Sequence, residues 1–411
     1  MAGSIFGTIF KISTWGESHG AGVGVVVDGC PAGLSLCEED IMKYLNRRKP
    51  GQTRYATPRK EDDEIRILSG VFEGKTTGAP VSMMVENKTQ RSKDYGDLAH
   101  CYRPGHADYT FDQKYGIRDY RGGGRSSGRE TIARVAAGAV AAKLLAEMGI
   151  EVYAYAESIG GIRVDPARFN RSFRDISPLQ MPDEAATEAA SALLEQKMKE
   201  HDSVGGTIGC IVTGLPAGLG DPVFEKLDAN LGKAIFSIGA VKGVEIGDGF
   251  RVAEACGSEN NDEFLIQEED TAAEEFLKSN GENRKGTAEE NSASVDSSDK
   301  ICGFETEKNE FARKKVVKAT NHAGGILGGM SDGSKLFLRA AVKPTPSIFR
   351  EQRTVTDTGE EKILVIHGRH DPVIVPRAVV VVEAMTAIVI LDALLLNMTA
   401  KAENVIRFYR H

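Results

Sequence analysis

The sequence reads as an α+β protein, a mixture of strands and helices compatible with layered packing. Short β-branched runs closed by Gly or Pro turns alternate with helical stretches. Two of the longer helices are Ala- or Val-rich around most of their circumference, as expected of helices buried between other layers. A third observation concerns repetition. Ser69-Gly70 to Glu86 echoes Gly324 to Val342 (a glycine turn, then a strand), and each is followed later by a Gly/Arg segment and an Ala/Val-rich helix. No short period repeats strictly, so a solenoid is excluded, whereas an internal duplication with pseudo-twofold symmetry fits the echo.

The elements follow in order. Gly22 to Asp28 is apolar and β-branched and reads as a strand, closed by Gly29-Cys30-Pro31-Ala32-Gly33. Ser35 with Glu38 three residues on has the form of a capping box, and Ile41, Met42 and Leu45 carry helical spacing. That helix should stop in Arg47-Arg48-Lys49-Pro50-Gly51. Strands are expected over Glu64 to Ser69 and Val81 to Glu86, and a longer helix over Glu130 to Met148, with Gly149 as its stop. Asp183 to Glu200 reads as a helix, Gly206 to Thr213 as a buried strand, Lys335 to Val342 as another, and the residues after Arg377 as an apolar helix. Residues 257–312 stand apart as an acidic, polar insertion. Their composition cannot offset the entropy of ordering, so solvated and mobile chain with at most one short helix is expected.

Bulk properties narrow the function. With 411 residues, 41% hydrophobic and 27% charged, the chain can bury a sizeable core, as two ordinary domains or one large layered one. A net charge of -8 argues against a broad nucleic-acid surface, so any anion site must be a local concentration of Arg and Lys. The six cysteines form no C-x-x-C pair, which points to reduced thiols in a cytoplasmic protein and not to disulfides or metal binding. Met1 to Thr14 has no signal-peptide pattern. Ala378 to Met398 is long and apolar, but Glu383 and Asp392 interrupt it, each costly at a bilayer centre; a buried helix is the better reading.

The chemistry concentrates in a few segments. Gly122-Gly123-Gly124 permits close backbone approach, Ser126 and Ser127 supply hydroxyls, and the following helix offers free N–H groups. Arg121, Arg125, Arg129 and Arg134 add charge, so the loop suits a phosphate or carboxylate. Neither a P-loop nor G-x-G-x-x-G order is present. Arg47, Arg48, Lys49, Arg54, Arg59 and Lys60 form a second basic cluster, read as an arginine loop over an anionic ligand. His19 and His106 lie in glycine-flanked turns beside acids or hydroxyls, where a histidine can exchange protons near neutral pH. Asp371 follows Arg369 and His370 and precedes Pro372, a placement equally suited to turn formation and to catalysis. No histidine pair has zinc-site spacing. Ser18 beside His19 lacks the G-x-S-x-G context of a hydrolase nucleophile.

Taken together, Trp15 to Gly20, Arg48 to Arg54, Gly74 to Pro80, Arg103 to Asp108, Gly124 to Thr131, Asn321 to Gly329 and Gly368 to Pro372 resemble the signatures of the chorismate synthase family, in family order. The resemblance implies a layered β-α-β sandwich assembled as a homotetramer. It implies a lyase that removes phosphate from 5-enolpyruvylshikimate 3-phosphate by 1,4-anti elimination, with reduced FMN and no net redox change. By resemblance, His19 serves the departing phosphate, His106 the reduced flavin, and Asp371 accepts a proton, with Ser18 and Ser127 assisting. Arg48, Arg54, Arg103, Arg129 and Arg369 are implied as substrate ligands. Arg125, Ser126, Ser127, Gly239, Ala240, Gly328, Lys343, Pro344, Thr345, Pro346, Ser347 and Arg369 are implied for FMN, and Arg48 and Arg54 for NADPH in some members. Two sources of reduced flavin stay open, NADPH used by the chain itself and a separate flavin reductase. No membrane or nucleic-acid partner is implied.

Overall fold

The computed structural model describes residues 3–51, 53–55, 63–88, 98–268, 314–366 and 371–410. They fall into two compact units, Met1–Cys256 with Ala323–His411, and Gly257–His322.

The larger unit contains the same chain path twice. Its first half runs β1 (Lys11–Gly16), β2 (Gly22–Asp28), α1 (Glu38–Arg48), β3 (Ile65–Ser69), β4 (Val81–Glu86) and α2 (Thr131–Glu147). The second half runs β5 (Glu151–Ile159), β6 (Gly206–Thr213), α3 (Leu227–Phe236), β7 (Val241–Ile246), β8 (Leu336–Val342) and α4 (Val375–Asn397). The first sheet has the order β1-β2-β4-β3, with Ile5–Phe6 pairing on β1. The second has the corresponding order β5-β6-β8-β7, with Ile162–Arg163 on β5. All these pairings are antiparallel. The echo between Ser69–Glu86 and Gly324–Val342 thus falls on equivalent strands, β4 and β8, and the duplication is topological.

The helices form the middle of the sandwich. α1 and α2 pack on the first sheet, α4 on β5 and β6, α3 on β7, and α2 runs against α4. A layer covered on both sides buries most of a helix's circumference, which explains why α2 and α4 are apolar over most of theirs. The two approach so closely that a Cβ on Gly138 would sit 2.3 Å from Ala384 Cβ. α4 is long and apolar enough to cross a membrane, but 78% of its most apolar window is buried within the protein. Its two acids are paired inside the fold. Glu383 meets Arg47 and Arg174, and Asp392 accepts the N–H groups of Thr8, Ile9 and Phe10 at 2.8, 2.7 and 2.9 Å.

Most expected elements occur within a residue or two, but the start of α1 needs correction. Its N-cap is Cys37 and the capping-box partner is Asp40, not Ser35 and Glu38. Ser35 is held extended by a bridge to Lys75, and the Glu38 carboxylate accepts the Ile67 N–H at 3.2 Å. Tertiary pairing of Leu34 to Leu36, whose leucines are buried, delays the helix by one half-turn.

The smaller unit begins where the acidic insertion was expected, at residue 257, and runs past its expected end at 312 to His322. A short helix, Gly257–Asn260, precedes the antiparallel pair Phe264–Glu268 and Lys314–Lys318. Asp262 ties the unit's end together, accepting from Lys318 Nζ at 3.0 Å, Thr320 Oγ1 at 2.7 Å and the His322 N–H at 2.8 Å. The expectation of a mobile, solvated segment falls mainly on 269–313, outside the described residues.

Candidate active site

The turn Glu17–Gly20 joins β1 to β2 and carries Ser18 and His19. Ser18 Oγ lies 3.2 Å from His19 Nδ1 and donates to the Gly122 carbonyl at 3.3 Å. Gly122 adopts φ +72°, and a Cβ there would stand 2.2 Å from His19 Cε1. Glycine is therefore required, because the loop backbone lies directly against the imidazole. Two sequence segments a hundred residues apart meet at this point.

Four arginines of the glycine loop were expected to face an anion together. Instead they are divided among protein partners, because a half-buried guanidinium needs acceptors on every side. Arg121 pairs with Asp119 at 2.8 Å, and Arg134 with Glu130 at 2.8 Å. Arg125 donates to Gly16 O at 3.0 Å and Thr14 Oγ1 at 2.6 Å, so it fastens the loop to β1. Ser126 Oγ donates to Gly123 O at 2.8 Å, and Ser127 Oγ caps the next turn by accepting the Arg129 N–H at 3.3 Å.

Arg129 belongs to a different set. Its Nε donates to Asn87 Oδ1, its Nη2 to Glu86 O at 3.3 Å and its Nη1 to Asp63 Oδ1 at 3.0 Å. The other Asp63 oxygen receives Arg48 Nη1 at 2.7 Å, while Arg48 Nε donates to Thr131 Oγ1 at 3.1 Å. Arg48 is 2% exposed and Asp63 3%. One buried carboxylate thus joins the two arginines, which solves the cost of burying either cation alone.

Asp371 connects to the same group. Arg377, in the first turns of α4, donates to Asp371 Oδ2 at 2.6 Å and to the Arg48 carbonyl at 3.1 Å. Arg369, expected beside it, lies outside the described residues. Pro372 O accepts the Val204 N–H at 3.0 Å, and the neighbouring Ser203 Oγ donates to Thr345 O at 2.7 Å. Residues 203–204 therefore link Asp371 to the Lys343–Ser347 segment.

That segment holds His106. The His106 Nδ1 stands 3.0 Å from Pro104 O and Nε2 3.0 Å from Ser347 Oγ. A carbonyl only accepts, so Nδ1 carries the proton and Nε2 accepts from the serine hydroxyl. Lys343 Nζ donates to Gly105 O at 2.7 Å, and the Lys343 N–H to Ala240 O at 2.9 Å, which brings Gly239–Ala240 alongside. Gly105 lies against Pro346, and Pro344 lies beside Gly205. Thr345 Oγ1 is buried and has no partner among the described residues. An orphaned hydroxyl between Lys343 and Ser347 fits a polar ligand that supplies the missing bond, since leaving it unmade costs about 1–3 kcal/mol.

Electrostatics keep His106 neutral. Burial first, then the Arg103 guanidinium and the Lys343 ammonium, push its imidazole from 6.5 down to about 4. The folded value lies below the ordinary one, so as pH falls the unfolded chain takes up the proton first. The stabilising contribution is complete above about pH 6.5 and is lost as pH falls toward 4. We expect wild type to lose about 1–3 kcal/mol relative to His106→Gln over that window. Urea titrations of both proteins at several pH values test this, and a constant difference would contradict it.

Arg103, implied as a substrate ligand, and Arg54, of the second basic cluster, are both ion-paired within the fold. Arg103 forks onto Asp108 at 2.8 and 2.7 Å, where Arg118 also approaches at 3.4 Å. Burial pushes the Asp108 carboxyl up, but these cations outweigh it and hold it below the usual carboxylate range. Arg54 is solvent-facing and pairs with Glu195 at 2.5 Å, so it is separated from its neighbour in the cluster, Arg48, which is buried. The shared nicotinamide-site expectation thus falls on two arginines in different surroundings. Gly328 turns the hairpin between Ile326–Leu327 and Met330–Ser331 at φ +59°, beside the start of α3, where Gly329 O accepts the Leu227 N–H at 2.8 Å. Asp63, Asn87 and Arg377 were missed from sequence. None lies in a motif, and only their long-range partners single them out.

Comparison with known proteins gives the family. Residues 10–395 match the family model described as chorismate synthase. The chain is 57% identical over 410 residues to a chorismate synthase of Lachnospira eligens, and 58% identical to one of Lachnoclostridium phytofermentans, each alignment covering 100% of both chains. A solved structure titled "Crystal Structure of Chorismate Synthase" superposes with a TM-score of 0.68 at 29% identity, covering 98% of this chain and 96% of that one. A doubled ββαββα sandwich, a histidine turn seated on a glycine loop, and similarity along the full length converge on one conclusion: this chain belongs to the chorismate synthase family, a family of lyases.

Proposed function

We propose that the chain catalyses 1,4-anti elimination of phosphate from 5-enolpyruvylshikimate 3-phosphate to give chorismate, as a carbon–oxygen lyase acting on a phosphate, with reduced FMN and no net redox change. The observation that carries the proposal is the series of polar contacts from the turn bearing His19 through Asn87, Arg129, Asp63, Arg48 and Arg377 to Asp371. It joins candidate proton carriers to buried arginines in an otherwise acidic protein.

The substrate brings two carboxylates and a phosphate. Arg48 and Arg129 share a single carboxylate, so the set keeps a net positive charge for an anion that binds beside it. Arg369 is assigned to the same anion. Their fixed forks orient the ring, and that orientation supplies much of the rate. His19, oriented by Ser18, gives a proton to the leaving phosphate, and Asp371, held by Arg377, accepts the proton whose removal closes the cycle. Lys343 to Ser347, Gly239 and Ala240 are assigned to the cofactor, with His106 taking up a proton when an anionic ring lies beside it. When bound, a reduced flavin would supply electron density to the breaking carbon–oxygen bond without net redox change.

Anaerobic turnover with pre-reduced FMN should release phosphate and form chorismate in equal amounts without consuming NAD(P)H in proportion. Stoichiometric oxidation of nicotinamide would overturn the reading. A second assay, aerobic with oxidised FMN and NADPH as sole reductant, decides whether the chain reduces its own cofactor or relies on a separate reductase. A cytoplasmic homotetramer belongs to the same proposal, and light scattering of the purified protein measures its assembly.

A further inference from the structure

Asn87 lies one residue beyond β4 and makes four hydrogen bonds to parts of the site that are remote in sequence. Its side-chain Nδ2 donates to Glu17 O at 2.7 Å and to Gly20 O at 2.8 Å. Its backbone N–H donates to Ala21 O at 3.0 Å. Its Oδ1 accepts from Arg129 Nε. The Gly20 N–H also reaches Glu17 O at 3.2 Å, closing the turn around Ser18 and His19.

The orientation of this amide is unambiguous. Two carbonyls can only accept and a guanidinium can only donate, so the amide nitrogen must face the turn and the oxygen must face Arg129. No other side chain of this size offers two donors at one end and an acceptor at the other. Aspartate has the same shape and would keep the Arg129 bond, but it would set an oxygen against two carbonyl oxygens.

We propose that Asn87 is a positioning residue: it fixes the turn bearing Ser18 and His19 relative to the substrate-holding arginine. The inference rests on the function proposed above. The turn is held from one side by Asn87 and from the other by Gly122, against which the imidazole is packed. Arg129 is held by Asn87, Asp63 and Glu86 O. Asn87 is the member common to both sets, so a shift of the turn without Asn87 changes the distance between proton donor and anchored anion. Misplacement of a reacting group by about 1 Å can cost roughly a hundredfold in rate.

The two ends of the amide can be tested separately. In Asn87→Asp the arginine anchor persists and the turn clamp is lost, so kcat should fall by about 30- to 100-fold with KM within about threefold. In Asn87→Leu both are lost, so KM should rise by about tenfold or more in addition to the fall in kcat. Steady-state kinetics with pre-reduced FMN read both, and thermal melts report whether each variant is folded. If Asn87→Asp melts below the assay temperature, Asn87→Ser, which gives up both ends of the amide, is measured against the thresholds set for Asn87→Leu. A folded variant with wild-type kcat overturns the coupling, as does one whose only change is in KM. A wild-type chain that releases no phosphate overturns the reading of the site and this inference with it, an outcome separable from failure of the variants alone.

Discussion

Replacing Asp371 with asparagine is expected to lower kcat by about a thousandfold while KM changes by less than about threefold. The side chain is 9% exposed and receives Arg377 at 2.6 Å. Asparagine keeps the volume and one oxygen to accept that bond, so the fold around Pro372 and Val204 has no reason to change. What it cannot do is accept a proton. General-base contributions of about 10²- to 10⁴-fold set the scale. Alanine should give a similar loss in kcat but also leave Arg377 without its acid, with a lower melting temperature as a second effect. Kinetics with pre-reduced FMN and matched melts separate the two. An asparagine variant that turns over at the wild-type rate would remove Asp371 from the proton path and leave it a structural partner of Arg377.

The second large effect concerns stability. Glu383 lies within α4 at 4% exposure, and its oxygens receive Arg47 at 2.5 and 3.0 Å, Arg174 at 3.3 Å and the Ala154 N–H at 3.1 Å. Arg174 also lies over the Tyr153 ring at 4.2 Å. Removing one member of such a buried cluster leaves unpaired charge in the core. Glu383→Ala should therefore destabilise by about 3–5 kcal/mol in urea titration. The triple replacement Arg47→Met, Glu383→Leu, Arg174→Met should recover much of that loss, because burying apolar groups of similar size requires no desolvation of ions. A single variant as stable as wild type would show that the cluster is wet and screened.

The same cluster shows why neighbouring basic residues could not be assigned from sequence. Arg47 and Arg48 follow one another at the end of α1, where successive side chains point about 100° apart around the helix. Arg47 goes to Glu383 on α4, and Arg48 to Asp63 and the glycine loop. The helix dipole and an anion loop were both reasonable readings of a basic run, but the run is divided by helical geometry. β5 escaped notice for a related reason. Its Val-Tyr-Ala-Tyr-Ala pattern is apolar at both alternate positions, since alanines face α4 while the tyrosines are covered on the other side, so no polar alternation marks the strand.

Local physics in the chain determined the strand at Gly206–Thr213, the strand at Gly22–Asp28, the apolar helices and the hydroxyl-bearing glycine loop, and it singled out His19 and His106 as candidate proton carriers, while the family resemblance singled out Asp371. Hydrophobic period, turn residues and side-chain chemistry are properties of short segments, and they are legible there. Only the tertiary structure decided which acid meets which arginine: Asp63 between Arg48 and Arg129, Arg377 on Asp371, Asn87 across the histidine turn. Periodicity reports which face of an element is buried. It does not report what lies against that face, and a charge buried there takes its meaning from its partner, which for Arg47 is Glu383, on another helix hundreds of residues away.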